Sequence, residues 1–159
     1  MVSMVSIVPW RPALAGAFRD INLAWISEMF EVEAHDLEML DDPQGFIINA
    51  GGVILCAEVV DLGVVGTCTL IPSEDGGLEL SKMAVLAAAR GHRIGEALLT
   101  AAIEKAAAMG HEPLFLLTNR RCVAAIRLYE KHGFQHDAGI MERYGASYAR
   151  CDVAMRYVA

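Results

Sequence analysis

The stretch MAVLAAARGHRIGEALL, residues 83–99, joins the end of an apolar strand pattern to the beginning of a helix pattern. Its middle, Arg90–Gly95, contains two arginines, one histidine and two glycines. Backbone N–H groups at the start of a helix point outward and carry partial positive charge, and glycine lets an anion approach closely. The stretch therefore predicts an anion site at a strand-to-helix junction. An ordinary turn with solvated arginines is the alternative.

The pattern on either side of this junction predicts alternating strands and helices. Apolar runs separated by short Gly and Asp turns indicate strands, and apolar positions spaced by three and four indicate amphipathic helices. The expected strands are 6–8, 53–60, 64–71, 78–85, 114–117, 134–141 and 150–158. The expected helices are 13–30, a short acidic one at 31–40, then 94–109 and 121–132, the last two ended by Gly110 and Gly133.

These elements predict an α/β fold with a mixed (α+β) sheet in a single domain over residues 1–159. The runs between 53 and 85 are joined by short turns, which favours an antiparallel meander. The strand, helix and strand over 78–117 favour one parallel βαβ crossover inside the same sheet.

Composition excludes several classes of protein. The chain has 159 residues, of which 55% are hydrophobic and 21% charged, so it can bury a core and is neither disordered nor fibrous. The net charge of −7 argues against a nucleic-acid or anionic-membrane partner. Charge is uneven, however: residues 1–81 carry a net −11 and residues 82–159 a net +4. Two windows, 80–95 and 113–129, contain no acidic residue, which favours a small anionic ligand beside the βαβ unit.

Cysteine usage and the N-terminus favour a cytoplasmic protein with reduced thiols. There is no C-x-x-C pair or zinc spacing, and we expect no metal site, because Gly133 separates His132 from His136. The N-terminal residues Met1–Trp10 lack a signal-peptide pattern and suggest a first strand, and no apolar run is long enough to span a membrane. The cysteines are Cys56, Cys68, Cys122 and Cys151.

Three blocks in order resemble the GNAT superfamily of acetyl-CoA-dependent N-acetyltransferases. Arg90–Gly95 resembles the family's pyrophosphate loop Q/R-x-x-G-x-G/A, with Arg93 where the first motif glycine usually stands. Residues 125–134, AIRLYEKHGF, resemble the family's A-x-x-L-Y-E-K-x-G-F block. The strand 79–85, ELSKMAV, resembles its central strand. The resemblance covers residues 78–135 and implies a GNAT-like fold with acetyl-CoA bound between two splayed parallel strands.

The resemblance also implies a set of residues that bind acetyl-CoA. Backbone groups of the central strand would bind the pantetheine and the acetyl carbonyl, the loop would bind the pyrophosphate, and residues after the next strand would flank the pantetheine. Cys122 stands where the family often has Asn, and Asn119 is the nearby substitute. The implied residues are Met83, Ala84, Val85, Arg90, Gly91, His92, Arg93, Ile94, Gly95, Glu96, Asn119, Cys122, Ala125 and Tyr129.

Two residues are candidates for the chemistry. The resemblance implies that Tyr129 is a general acid that protonates the departing thiolate; a core tyrosine on the face of Cys122 and Ala125 is the alternative. It also implies a Glu near the central strand as general base. Glu79 is the candidate, since its even spacing from Met83 predicts that both face the same side of the strand. An exposed strand carboxylate is equally compatible.

The acceptor site is expected among the first helices, with Asn22, Trp25 and Phe30 as candidates near the acidic segment 28–38. The acidic first half favours a cationic amine by simple attraction. We expect an enzyme that moves acetyl from acetyl-CoA to a primary amine by direct attack in a ternary complex. A non-catalytic acyl-CoA-binding module of the same fold is the alternative, and a weaker one is an interaction domain that forms a homodimer.

Overall fold

The computed structural model describes residues 5–159, and its strands and helices follow the order that the sequence predicts except for one additional helix near the end. The strands are β1 (Val5–Pro9), β2 (Val53–Val59), β3 (Gly63–Pro72), β4 (Leu78–Val85), β5 (Leu114–Thr118), β6 (Phe134–His136) and β7 (Val153–Tyr157). The helices are α1 (Ala15–Met29), α2 (Ala34–Asp41), α3 (Ile94–Met109), α4 (Val123–Lys131) and α5 (Ala138–Tyr144).

Across residues 5–159 the strands form one seven-stranded sheet with the order β1-β2-β3-β4-β5-β7-β6. Strands β4 and β5 pair in parallel, and every other neighbouring pair is antiparallel. The mixed α/β sheet, the antiparallel meander and the parallel crossover through α3 are therefore confirmed. The two acid-free windows of the sequence, 80–95 and 113–129, include the carboxyl ends of the two parallel strands.

Helices cover both faces of the sheet. On β2, Leu55 packs into the cluster that contains α3, whereas its neighbours Ile54 and Cys56 pack with α1 and α2. Because successive side chains of a strand point to opposite faces, α3 lies on one face and α1 and α2 on the other. Tyr129 of α4 joins the α3 cluster. Ile140 of α5 packs on Phe115, the residue between Leu114 and Leu116 of the α3 cluster, and therefore lies on the α1 face.

Helix ends agree with local sequence signals. At the start of α2, the Glu33 side chain accepts from the backbone N–H of Asp36, and Asp36 accepts from the backbone of Glu33. This capping box fixes a helix of eight residues that has little apolar surface of its own. Helix α3 ends at Gly110, whose φ of 75° suits a residue without a Cβ.

The predicted strand over 134–141 is wrong beyond its first residues. Strand β6 ends at His136, and α5 begins directly afterwards. The Asp137 carboxylate accepts from the backbone N–H of Ile140 at 3.0 Å, which caps the new helix and ends the strand. The predicted helix 13–30 begins with a 3₁₀ turn at Pro12–Leu14, and a π-helical turn at Gln44–Ile48 was not predicted. For the expected first strand, residues 1–4 lie outside the described residues.

No helix within residues 5–159 combines the length and the apolar character needed to cross a membrane.

Candidate active site

The parallel pair β4–β5 separates towards its carboxyl end and leaves a cleft. Pairing runs from Leu78 and Leu114 to Leu80 and Leu116 and then stops, although β4 continues to Val85. The cleft holds a cavity of about 420 Å³. A gap between parallel strands at their carboxyl ends is where open α/β sheets bind ligands.

The cavity brings together most of the residues that the sequence singled out. Two are not part of its wall: His92, which is exposed on the loop, and Cys122, which is 5% exposed within the core. The predicted residues that line the cavity are Asn22, Trp25, Phe30, Glu79, Met83, Ala84, Val85, Arg90, Gly91, Arg93, Ile94, Gly95, Glu96, Asn119, Ala125 and Tyr129.

The loop between β4 and α3 presents a run of outward-facing amides. Gly91 and Arg93 have φ values of 88° and 59°, so the backbone turns sharply twice before the helix starts. The first bond of the helix is donated by the N–H of Ala97 to the Arg93 carbonyl. The amides that precede Ala97 at the helix start therefore have no partner in the preceding turn. This concave arrangement of N–H groups at a helix N-terminus suits a phosphate.

The side chain of Arg90 is held away from these amides. Its guanidinium binds both carboxylate oxygens of Glu28 at 3.0 and 3.2 Å, and its Nε donates to the Val85 carbonyl at 3.3 Å. The hydrogen bonds and charge of Arg90 lower the pKa of Glu28. The pair links the end of α1 to the predicted phosphate loop. Any anion that recruits Arg90 has to compete with Glu28 for it.

Strand β4 contains a bulge where it borders the cavity. Thr67 and Thr69 of β3 pair with Ala84 and Ser81, so one residue of β3 lies opposite two of β4, namely Lys82 and Met83. Lys82 has a φ of 49°, a left-handed conformation that costs a residue with a side chain roughly 1–2 kcal/mol. A bulge leaves an extra residue that the neighbouring strand cannot pair.

The bulge overturns the prediction that Glu79 and Met83 share a face of the strand. An extra residue reverses the alternation of side chains beyond it. Met83 packs with the α3 cluster, and its methyl group lies 3.6 Å from where a Cβ on Gly95 would be. Glu79 lies on the other face, within the electrostatic influence of Lys82 and Tyr148. The two side chains therefore reach the cavity from opposite faces of β4.

Burial raises the pKa of the Glu79 carboxyl to about 7, and the charge of Lys82 opposes this rise. Among residues 5–159, no ion pair involves this carboxylate, although it lines the cavity. A carboxyl whose pKa lies near neutrality exists in both protonation states at physiological pH. It can therefore accept a proton from a bound group and release it again.

Tyr129, on α4, also lines the cavity. Burial raises the pKa of its phenol, and the neighbouring Cys68 and Cys122 act in the same direction. Its ring meets Phe134 edge-on at 5.9 Å. Among residues 5–159, its hydroxyl makes no hydrogen bond. The phenol is therefore protonated at neutral pH and is available as a donor to a group in the cavity.

The sequence predictions missed a cluster of charged groups that includes Lys82 and Arg150 of the cavity wall. Lys82 Nζ donates to Asp36 Oδ1 and to the Tyr148 hydroxyl, both at 2.9 Å. Arg150 donates two bonds of 2.7 Å to the two Asp36 oxygens and one of 3.1 Å to Glu33. Lysine at an inward position of an apolar strand was the available signal, because a buried ammonium needs a partner.

The pKa values in this cluster reflect its pairing. Burial acts to raise the pKa of Asp36, yet the bonds from Arg150 and Lys82 hold it well below its usual range. Burial lowers the pKa of Lys82, and Asp36 opposes that change. The side chains of Asp36 and Lys82 are 0% and 3% exposed, so the pair is sealed from water.

Two predicted site residues have their amides bound within the protein. Asn22 is 1% exposed, and its Nδ2 donates to the Phe18 carbonyl and to Thr67 Oγ1. Asn119 donates to the Arg150 carbonyl at 2.7 Å and accepts from the backbone N–H of Arg121 at 2.9 Å. Both border the cavity, but their hydrogen bonds brace its walls.

Trp25 and Phe30 form a tilted aromatic pair with ring centroids 6.0 Å apart at the α1 side of the cavity. The Arg121 and Arg150 guanidinium groups lie 5.1 and 5.9 Å from the Phe30 ring. Between residues 5 and 159 there is no group of three or more His, Cys, Asp or Glu side chains arranged to hold a metal ion.

Comparison with known proteins connects the chain to one family. The model of the acetyltransferase (GNAT) domain family matches residues 50–136, more than half of the chain. None of the curated proteins searched matches the chain.

Solved structures share the fold. A GNAT-family acetyltransferase from Staphylococcus aureus Mu50 has a TM-score of 0.85 at 19% identity, covering 97% of this chain and 98% of that one. A Brucella melitensis GNAT acetyltransferase in complex with acetyl-CoA has a TM-score of 0.68 at 23% identity, covering 84% of each chain. The PaiA N-acetyltransferase of Thermoplasma acidophilum in complex with coenzyme A has a TM-score of 0.72 at 15% identity, covering 98% and 99%.

Proposed function

The chain belongs to the GNAT acetyltransferase family, and from that premise we propose that it transfers an acetyl group from acetyl-CoA to a primary amine. One observation carries the proposal. A cleft between separating parallel strands joins a helix N-terminus rich in free amides to a buried phenol and to a carboxyl with a pKa near neutrality.

The position of the cleft and the loop at its edge support acetyl-CoA as the acyl donor. The amides of the loop between β4 and α3 would bind the pyrophosphate, with Arg93 beside them. Met83, Ala84 and Val85 line the same cavity, and their backbone groups would hold the pantetheine arm and the acetyl carbonyl. The complexes of the Brucella and Thermoplasma proteins with acetyl-CoA and coenzyme A support this assignment.

Glu79 is proposed as the general base. Amines are mostly protonated at neutral pH and must lose a proton before they attack a carbonyl. With a pKa near 7, Glu79 can take that proton directly or through one water. Trp25 and Phe30 line the same cavity and would enclose the acceptor. An aromatic face beside a carboxylate suits an ammonium group.

Tyr129 is proposed as the general acid. Acetyl-CoA supplies a thioester, whose acyl carbon is open to attack and whose leaving group is a thiolate. The buried phenol keeps its proton at neutral pH and would donate it, or a hydrogen bond, to the sulfur. The acceptor would attack directly, with both substrates bound, because proton acceptor and proton donor lie on different walls of one cavity.

Thiol release from acetyl-CoA in the presence of single amines tests the proposal. The panel should include a polyamine, an amino acid, an arylalkylamine and a peptide with a free N-terminus. We expect one class to raise thiol release well above the rate without amine, with the acetylated amine detected by mass spectrometry. Tight binding of acetyl-CoA with no release for any amine would contradict an acetyltransferase and favour an acyl-CoA-binding module.

A further inference from the structure

Lys82 is fixed at both its backbone and its side chain. Its carbonyl accepts from Thr67 Oγ1 at 3.0 Å, and that hydroxyl in turn accepts from Asn22 Nδ2 at 3.0 Å. Its ammonium is held by Asp36 and by the Tyr148 hydroxyl. Four separate parts of the chain, α1, β3, α2 and the segment before β7, therefore converge on the one residue of β4 that has a left-handed backbone.

Stability alone does not account for this arrangement. The attraction within a buried ion pair is largely cancelled by the loss of hydration, and apolar replacements of such pairs are often neutral or stabilising. The left-handed conformation of Lys82 adds a cost that glycine would avoid. What the network does achieve is a single orientation of the backbone at the bulge, since neither end of Lys82 is free to move.

The residues after Lys82 depend on that orientation. Met83 and Ala84 follow directly along the chain and line the cavity. The bulge gives β4 one residue more than β3 can pair in this segment, so an amide is released from the ladder next to the cavity. A rotation at Lys82 would turn this amide, because consecutive peptide planes share the Cα between them.

We propose that Lys82 is a positioning residue: anchored by Asp36, Tyr148 and Thr67, it holds the bulge of β4 so that a backbone N–H faces the acyl carbonyl. This inference rests on the proposed function, which places acetyl-CoA in the cleft. Lys82 acts through the backbone that it orients, without touching the acyl group. Lys82 also connects α1 and α2, which lie beside the proposed acceptor site, to the backbone of β4 that would bind the acyl group.

Two substitutions release Lys82 from opposite ends. Lys82→Met keeps the length and apolar stem of the side chain, and Asp36 keeps its two bonds from Arg150, so no buried carboxylate is left unpaired. Thr67→Val removes the hydroxyl that holds the Lys82 carbonyl and keeps the shape of the side chain. The controls are Thr67→Ser, which retains the hydroxyl, and Lys105→Met, which removes an exposed charge of α3.

The test uses acetyl-CoA carrying ¹³C at the acetyl carbonyl, together with binding of acetyl-CoA and of CoA by titration calorimetry. In the wild type we expect the carbonyl resonance to move downfield on binding, because a hydrogen bond polarises the carbonyl. Lys82→Met and Thr67→Val should reduce that displacement. They should weaken acetyl-CoA binding by about two- to tenfold, the loss of one hydrogen bond, with CoA affinity unchanged. Thr67→Ser and Lys105→Met should match the wild type.

Other outcomes distinguish a failure of the positioning role of Lys82 from a failure of acetyl-CoA binding itself. A full displacement in both Lys82→Met and Thr67→Val overturns the positioning role, and so does an equal loss of CoA affinity, which indicates general damage to the cleft. A wild type that binds acetyl-CoA without any displacement overturns it too. A wild type that binds neither ligand refutes the proposed function instead. Should Lys82→Met fail to fold, Thr67→Val, judged against Thr67→Ser, decides the question.

Discussion

Replacing Tyr129 by phenylalanine separates chemistry from packing in this protein. The substitution removes one oxygen and keeps the ring that packs edge-on against Phe134. Among residues 5–159 that oxygen makes no hydrogen bond, so no protein group loses a partner. We therefore expect the free energy of unfolding to change by less than about 0.5 kcal/mol, as for substitutions that disturb no packing or bonding.

Turnover should respond very differently. A general acid contributes about 10²–10⁴ in rate, which corresponds to about 2.7–5.4 kcal/mol of transition-state stabilisation at 1.36 kcal/mol for each factor of ten. We expect kcat to fall by that factor in Tyr129→Phe, with the Kd for acetyl-CoA nearly unchanged. The reason is that the phenol acts on the departing sulfur and contributes little to the resting complex.

The assay combines thiol release with the best amine, titration with acetyl-CoA and thermal unfolding. Tyr157→Phe is the matched control, since its ring packs on Phe134 at 5.5 Å but lies outside the cavity wall. It should keep full turnover. A Tyr129→Phe enzyme with unchanged kcat, or one whose binding and turnover fall equally, would show that this tyrosine is a packing residue and not a general acid.

Three further predictions concern charge and space in the cleft. Because the pKa of Glu79 is about 7, its basic form prevails above that pH, and kcat/KM should rise as pH increases through about 7. Glu79→Gln should abolish this rise, and an unchanged pH profile in the variant would exclude Glu79 as the base. Glu28→Gln frees Arg90 and should tighten acetyl-CoA binding about two- to fivefold, as measured by calorimetry at low salt. The control Glu31→Gln removes a nearby exposed charge that does not bind Arg90 and should leave the affinity unchanged. Equal effects of the two variants would indicate a general charge effect. Gly95→Ala should fold and bind acetyl-CoA, because the added Cβ would lie 3.6 Å from its nearest neighbours. Gly95→Val should also fold, but we expect it to weaken acetyl-CoA binding about tenfold, because the larger side chain keeps the ligand from approaching the loop closely. Equal affinities of the two variants would place the ligand elsewhere.

The sequence predicted the parts of the fold that depend on local periodicity. The meander, the crossover and the helix ends at Gly110 and Gly133 follow from short-range patterns, and the structure confirms them. The tail was less predictable because a strand of three residues and a capped helix of seven follow each other within one short segment. Asp137 marked the boundary, yet an aspartate after a strand also begins many turns.

The candidate site was predictable where its residues are consecutive and obscure where they come from distant segments. The loop from Arg90 to Gly95 is contiguous, so its place at a helix start could be foreseen. The network around Lys82 joins residues that are far apart in the sequence, such as Asp36 and Arg150 at 114 positions, and no spacing rule connects them. The bulge was also hidden, because it arises from a mismatch between two strands and leaves no residue pattern on β4 alone.

The uneven charge of the sequence has a partly different meaning in the structure. The basic second half does contribute the arginines of the loop between β4 and α3, but Arg90 is paired with Glu28 and Arg150 with Asp36 from the acidic half. These ion pairs between the two halves therefore cancel part of the charge asymmetry. We retain the expectation of a cationic acceptor as part of the proposed function, and it now depends on Glu79 more than on overall charge.

The decisive measurement is calorimetric titration of the purified protein with acetyl-CoA, because every proposed role depends on that ligand occupying the cleft between β4 and β5. We predict binding of one acetyl-CoA per chain that CoA displaces, that weakens as salt screens the phosphate contacts, and that Gly95→Val impairs. Absence of binding at millimolar acetyl-CoA, or binding that Gly95→Val leaves unchanged, would contradict a binding site for acetyl-CoA in this cleft.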